Sequence, residues 1–341
     1  MTVSENFYRP ILAITMGDPS GIGPEVAVRG LSNPEVYGIS RPLIVGDLSV
    51  IKATIEGLRA AVDLKRVTDV SGADFRAGRI DVLDLGNVKL AELEKARVSA
   101  MAGKAAFEYI IRGIDLALSA KVDGLVTCPI NKDAIRRAGH PFPGHTEILA
   151  ERTRSREFGM MLVSGDLRVV LVTIHVALEE AIRMLSEERI LKAVRLAHHG
   201  GTMMGIDRPR IAVPGLNPHS GEGGMFGREE IEIIAPAVKK AREMGYDAQG
   251  PFPPDTVFYR ALNGEFDFVT AMYHDQGLIP IKLIGFGNAV NVTLGLPIIR
   301  TSVDHGTAFE IAWQFRASAG SLIEAIRFAA VLAKKKRQKM H

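Results

Sequence analysis

The sequence predicts an α/β protein built on mostly parallel sheet, and three observations carry that prediction. Short apolar runs alternate with amphipathic stretches of helical length from end to end. Strand, helix and strand in repetition build parallel sheet, whose strands are buried on both faces and read as continuous apolar runs. Glycine is abundant at 34 residues while aromatic residues make up only 6%, which favours tight strand–helix turns over a sandwich or a helical bundle. Polar, glycine-rich segments also follow directly on the expected strands, where such sheets bind their ligands.

In chain order the expected strands are Ile11–Thr15, Leu43–Val45, Ile80–Leu85, Gly124–Cys128, Met160–Val163, Val169–Ile174, Ile211–Val213, Phe268–Met272 and Val290–Leu294. The clearest helix is Ser99–Ala120, where Phe107, Ile110, Ile111, Ile114 and Leu118 repeat at the three-and-four spacing of one buried face. Arg228–Met244 is a second. The 341 residues suggest two domains or one large one. With 47% apolar and 24% charged residues, disorder is excluded as the main state.

Charge and cysteine usage narrow the function classes. The formal net charge is +3, but Lys334, Lys335, Lys336, Arg337 and Lys339 supply five positive charges at the C-terminus, leaving −2 for the rest. A nucleic-acid reading would rest on that tail alone, and a terminal charge run is expected to be a solvated, frayed end. The single cysteine, Cys128, excludes an intramolecular disulfide framework and fits a reducing cytoplasm. Met1–Pro10 lacks a leader pattern, and no stretch reaches the roughly 18 uninterrupted apolar residues of a membrane span.

Five polar segments follow expected strands: Met16–Glu25, Pro129–Glu147, Leu216–Arg228, Tyr273–Lys282 and Gly295–Ala308. Met16–Glu25 (MGDPSGIGPE) lacks the Lys-Ser/Thr ending of a P-loop, and Val26 stands where the dinucleotide fingerprint needs its third glycine. It reads either as a turn with Pro24 at the first helical position or as a substrate-facing loop. Three histidines, His175, His219 and His274, follow strands at comparable ends. Three neutral imidazoles with an open fourth position make a catalytic site for zinc, cobalt or a similar ion. Each alone also reads as a hydrogen-bonded structural histidine, and separations of 44 and 55 residues are no motif. Lys132, Lys282 and Arg300, with Asn291 and Thr146 as uncharged partners, cluster at the same strand ends and suit a phosphate or carboxylate. Lys132, Asp255 and Asp275 are candidates for proton relay or for supporting metal ligands, although Asp255 could equally cap the helix beginning there.

Taken together, ITMGDPSGIGPEV from Ile14, PFPGHTE from Pro141, GLNPHSGEGG from Gly215, GPFPPDTVF from Gly250, AMYHDQGLIPIK from Ala271 and GFGNAVNVTLGLPIIRTSVDHGTAFEIAW from Gly285 resemble the 4-hydroxythreonine-4-phosphate dehydrogenase family of pyridoxal phosphate biosynthesis. That family includes a branch acting on 4-phospho-D-threonate or 4-phospho-D-erythronate, which Ile174-His175-Val176-Ala177 and Phe309–Trp313 resemble somewhat more. The resemblance implies a two-domain α/β/α fold like isocitrate and isopropylmalate dehydrogenases, with an interdomain active-site cleft. Residues 1–125 with 285–341 would form the first, cofactor-side domain, and 126–284 the second, carrying the metal ligands and the dimer contact. It further implies a homodimer with a shared site, a divalent metal (zinc, cobalt or magnesium) on His175, His219 and His274, and substrate contacts from His145, Thr146, Lys282, Asn291 and Arg300. NAD or NADP would be held by a loop like Asp304-His305-Gly306-Thr307, with no Rossmann fingerprint required.

The implied reaction is oxidation with decarboxylation of a phosphorylated four-carbon 3-hydroxy acid: 4-hydroxythreonine 4-phosphate, giving 3-amino-2-oxopropyl phosphate, or the related phosphothreonate or phosphoerythronate. Other readings are a cofactor-free metal-dependent aldolase or phosphatase, a dehydrogenase of a non-phosphorylated carboxylated cis-diol, and a nucleic-acid module using the tail.

Overall fold

A computed structural model describes residues 8–339, so residues 1–7 of the segment read for a leader, and Met340 and His341 of the basic tail, lie outside the described residues. Its strands are β1 (Ile11–Thr15), β2 (Arg41–Gly46), β3 (Asp63–Val67), β4 (Arg79–Asp84), β5 (Gly124–Thr127), β6 (Gly159–Ser164), β7 (Leu167–Leu171), β8 (Ile211–Pro214), β9 (Ala248–Phe252), β10 (Phe268–Ala271), β11 (Val290–Leu294) and β12 (Arg300–Val303). They divide between two compact units, residues 1–156 with 296–341, and residues 157–295. The chain leaves the first unit and returns to it. The crossings fall later than the expected 125 and 285. One reason is local: Gly103 on helix Ala100–Leu118 lies so close to helix Lys132–Arg137 that a Cβ there would sit 2.0 Å from the Ala134 carbonyl oxygen. The segment after β5 is thus packed into the first unit.

In the first unit the strand order is β3-β4-β2-β1-β5-β12, all parallel. In the second it is β11-β6-β7-β10-β8-β9, where β6 runs antiparallel to both neighbours and the rest are parallel. All nine expected strands are present. The three unexpected ones lack an apolar run for identifiable reasons. β3 (DLKRV) and β9 (AQGPF) are edge strands, where one side is solvated and a proline is tolerated. β12 (RTSV) is buried yet polar, because each polar side chain finds a partner: Arg300 on Thr127, Thr301 on the Ala325 carbonyl and Ser302 on the Thr127 carbonyl.

Helix Ala100–Leu118 forms as expected, and its inward face is wider than the expected apolar stripe and shifted from it. Ile110 and Ile114 are buried, each worth about 2–3 kcal/mol, whereas Leu118 is 46% exposed. The inward face mixes Ala102, Gly103, Ala105, Ala106 and Gly113 with Tyr109, Ile110, Ile114 and Leu116, and a Cβ on Gly113 would meet Leu125 Cδ1 at 2.6 Å. Small residues let helix and sheet approach closely, a feature that apolar periodicity does not register. Phe107 instead stacks on His140, ring centroids 3.7 Å apart. The second expected helix opens as a π-turn over Glu230–Ile234 and continues as Ala235–Glu243. Within the described residues the basic run is solvated but helical: Lys334–Arg337 form the last turns of helix Gly320–Gln338, where cations offset the helix dipole. Among the described residues no helix is long and apolar enough to cross a membrane.

Candidate active site

In the first unit, β1, β5 and β12 lie side by side and parallel, so the loops after them emerge at one edge. The loop after β1 joins the others. Asp18 N–H donates to the Pro129 carbonyl at 2.9 Å, and Ile22 N–H to the Thr307 carbonyl at 3.1 Å. Gly17 has a φ of +76° with Pro129 O only 2.3 Å from where a Cβ would stand, so glycine is required there. At Gly21 a Cβ would lie 2.9 Å from Thr307 Cβ. Met16–Glu25 is thus the expected turn, with Pro24 in the first turn of helix Gly23–Ser32, and it packs against the loops after β5 and β12.

The Asp304–Thr307 loop follows β12. Asp304 N–H donates to Ser321 Oγ at 3.0 Å, and burial draws the His305 imidazole below its ordinary range against the opposing Gly306 carbonyl and Asp304. Nothing stands within 4 Å of a Cβ built on Gly306. Bare, accessible backbone beside a glycine-rich turn fits the close approach of a dinucleotide.

Beside these loops stand the cations of the first unit. Arg300 is 3% exposed, and its Nη2 donates to Thr127 Oγ1 at 2.7 Å. Burial draws its guanidinium down to about 9, with Glu147 opposing, so it remains a cation at neutral pH. His145 opens helix His145–Thr153, with Thr146 next to it. Burial, then the charges of Arg300 and Lys132, hold the His145 imidazole well below its ordinary range and therefore neutral. Its Nε2 has no hydrogen-bond partner among the described residues. Lys132 begins helix Lys132–Arg137 and lines an open hollow of about 410 Å³ with Arg136 and Pro141–Pro143. A buried cation, a second cation and a neutral imidazole form an anion-seeking group. Cys128, one residue past β5, is buried and its thiol is pushed up to about 12, which makes it inert.

The second unit carries all three strand-end histidines. The neighbouring parallel strands β7 and β10 deliver His175 and His274, whose ring centroids are 5.4 Å apart. Thr173 Oγ1 donates to the Met272 carbonyl at 2.8 Å, tying the two exits together. His274 Nδ1 lies 2.7 Å from Asp275 Oδ1, leaving Nε2 for another partner. A carboxylate-oriented imidazole beside a second imidazole fits a divalent ion. His219 does not complete the group: among the described residues no three His, Cys, Asp or Glu could hold a metal ion. It sits in a run from His219 to Gly223 whose φ values of 52, 56, 77, 44 and 67° are all left-handed. The run presents the His219 side chain, 65% exposed, beside Glu222 at 3.2 Å. Beneath it, burial pushes the Glu230 carboxyl up, but hydrogen bonds from Asn217 and Leu216 outweigh this and hold it low.

The remaining sequence candidates separate by unit. Lys282 is exposed on helix His274–Gly285, and Asn291 lies half-buried on β11, both in the second unit. Asp255 is exposed and caps nothing: the residue before helix Val257–Leu262 is Thr256, without a side-chain cap. Sequence reasoning missed Thr127, Glu147 and Asp18. Only Asp18 carried a signal, the turn-forming Asp-Pro-Ser-Gly directly after a strand.

The family model for pyridoxal phosphate biosynthetic protein PdxA matches residues 38–329. The chain belongs to the PdxA family. A 4-hydroxythreonine-4-phosphate dehydrogenase of Desulforapulum autotrophicum is 50% identical over 326 residues, 95% of this chain and 96% of that one. A D-threonate 4-phosphate dehydrogenase of Cupriavidus necator is 46% identical over 327 residues, 96% of this chain and 98% of that one. The crystal structure of 4-hydroxythreonine-4-phosphate dehydrogenase from Klebsiella pneumoniae superposes with a TM-score of 0.89 at 41% identity, covering 95% of this chain and 99% of that one.

Asp18 gives this PdxA-family chain a stability signature. It is fully buried, and burial pushes its carboxyl from 3.8 up to about 6 despite backbone N–H groups of Ser20, Asn131 and Gly21. Because the folded state holds the proton more tightly, stability is withdrawn as pH rises through that interval, by about 3 kcal/mol in all. Asp18→Asn keeps an acceptor for Ser20 N–H and removes the buried charge. Its Tm should exceed the wild type's by about 5 °C at pH 8 and by nothing near pH 4. An equal difference at both pH values would contradict the assignment.

Proposed function

We propose that this chain is a divalent-metal-dependent, NAD(P)-linked dehydrogenase that oxidises and decarboxylates a phosphorylated four-carbon 3-hydroxy acid, 4-hydroxythreonine 4-phosphate or 4-phospho-D-threonate or -erythronate. One observation carries the reading: relatives named for two such activities align along 95% and 96% of the chain at 50% and 46% identity. The candidate substrates differ at C2, amino against hydroxyl, and share the phosphate and the carboxylate.

In this reading Arg300, Lys132, Thr146, Lys282 and Asn291 anchor the anionic ends of the substrate, while neutral His145 offers Nε2 as an acceptor to a substrate hydroxyl. Fixing the remote phosphate spends binding energy on orienting the reacting carbon. His175, His274 and a His219 from a second copy would hold the metal, and Asp304–Thr307 the dinucleotide. When bound, the ion supplies Lewis acidity to the oxygen undergoing oxidation and the dinucleotide accepts hydride. Asp275 orients His274, and Lys132 stands ready to exchange a proton with the substrate. A homodimer accords with the exposed apolar residues around the histidine-bearing elements: Leu178, Met225, Ile279, Leu283 and Phe286 are 57–85% exposed.

A steady-state screen with NAD and with NADP tests the reading. A phosphorylated substrate should exceed its non-phosphorylated counterpart in kcat/KM by about 100-fold or more, and the ratio between 4-hydroxythreonine 4-phosphate and 4-phospho-D-threonate identifies the branch. Equal turnover of a non-phosphorylated cis-diol acid would overturn it.

A further inference from the structure

We infer that Ala308–Phe315 is a strained strap that fixes the Asp304–Thr307 loop for dinucleotide binding, with Trp313 and Phe315 as its positioning residues. The inference rests on the dinucleotide reading of that loop given above.

Three non-glycine residues in this short segment adopt left-handed backbone: Ala308 at φ 42°, Trp313 at 62° and Phe315 at 57°. L side chains persist there only where their surroundings over-determine them. The surroundings do so at both aromatic residues. Trp313 Nε1 donates to the Pro19 carbonyl at 3.1 Å, and Lys95 Nζ lies 4.1 Å from the indole centroid. The Phe315 ring occupies the space above Gly57 so fully that a Cβ there would fall 1.9 Å from Cζ. Arg29 donates to the Phe315 carbonyl and is itself held by Glu25 at 3.2 Å, while Glu25 also accepts from Ala317 N–H at 2.7 Å.

The other end of the strap begins where the loop ends. Ile311 and Ala312 N–H groups both reach the Ala308 carbonyl at 3.0 Å, closing a turn directly behind Thr307. Thr307 is in turn pressed on Gly21 and accepts from Ile22. The loop is therefore clamped between the Gly21–Ile22 turn on one side and the strap on the other. Pro19, which anchors Trp313, belongs to the same turn segment. Unseating Phe315 or the indole would let Ala308 leave its left-handed conformation and free the Thr307 carbonyl from its register with Ile22.

Gly57→Ala tests this from a distance, because it unseats Phe315 without altering a residue assigned to substrate, metal or dinucleotide, and it retains the chain's one tryptophan. Dinucleotide affinity is read by calorimetry with NAD and with NADP, and loop order by amide hydrogen exchange over residues 304–308. The expected result is a roughly tenfold rise in dinucleotide Kd, equivalent to about 1.4 kcal/mol, faster exchange at Gly306 and Thr307, and a substrate KM within about twofold of wild type. Trp313→Phe keeps an aromatic ring but loses the Nε1–H bond to the Pro19 carbonyl together with part of the ring face under Lys95, so it supplies the same test if the alanine variant does not fold. Wild-type dinucleotide Kd and exchange in a folded variant overturn the strap while leaving the dinucleotide reading intact. Proportional loss of substrate and dinucleotide binding overturns it too, as general loosening. A wild-type chain that binds neither dinucleotide removes the reading of the loop and the strap together.

Discussion

Arg300→Ala is expected to raise the KM for the phosphorylated substrate about 100-fold, with a smaller effect on kcat. The guanidinium is buried, held by Thr127 and still charged at neutral pH, so an anion reaching it forms a charge-assisted hydrogen bond with little competition from water. Losing about 3 kcal/mol of ground-state and transition-state binding alike appears in KM. Arg300→Lys should recover part of the loss, since it returns the charge without the planar fork, and it guards against reading a packing defect as a binding defect. Steady-state kinetics on both variants checks this. An unchanged KM in a folded alanine variant would remove Arg300 from the anchor.

His274→Ala should abolish metal retention and with it the dinucleotide-linked rate. Its ring stands 5.4 Å from His175, and its Nδ1 is held by Asp275 at 2.7 Å. Asp275→Asn keeps the shape and weakens that orientation, for which the expected loss is about 10–100-fold in metal affinity. His274→Ala should therefore lose more than its neighbour's variant. Metal analysis after gel filtration, beside activity with saturating added zinc or cobalt, checks the order. A His274→Ala protein that retains stoichiometric metal would contradict the ligand set.

Much of this fold is legible because buried parallel strands must be apolar throughout: Leu12–Ile14 and Val169–Leu171 announce themselves. β12 does not, since its burial is achieved by satisfying Arg300, Thr301 and Ser302 with hydrogen bonds to residues up to 175 positions away. The inward face of helix Ala100–Leu118 is only partly legible for a related reason, as glycine and alanine share it with Tyr109, Ile110, Ile114 and Leu116. At the site, His175 and His274 were recognisable as strand-end histidines, but their proximity depends on β7 and β10 being neighbours, which spacing along the chain does not encode. Asp18 is not legible as a buried, proton-retaining aspartate because a turn aspartate is written with the same letters. The extent of the first unit is not legible because helix Lys132–Arg137 packs back onto Gly103, a contact that apolar patterning does not encode.

In the proposed reaction imidazoles hold an ion at the alcohol to be oxidised, and removing the ion is the most direct test. After exhaustive dialysis against a chelator, the rate of nicotinamide reduction with 4-hydroxythreonine 4-phosphate or 4-phospho-D-threonate should fall to background and return on adding zinc, cobalt or magnesium. A rate that survives dialysis undiminished, and that none of these ions changes, would contradict it.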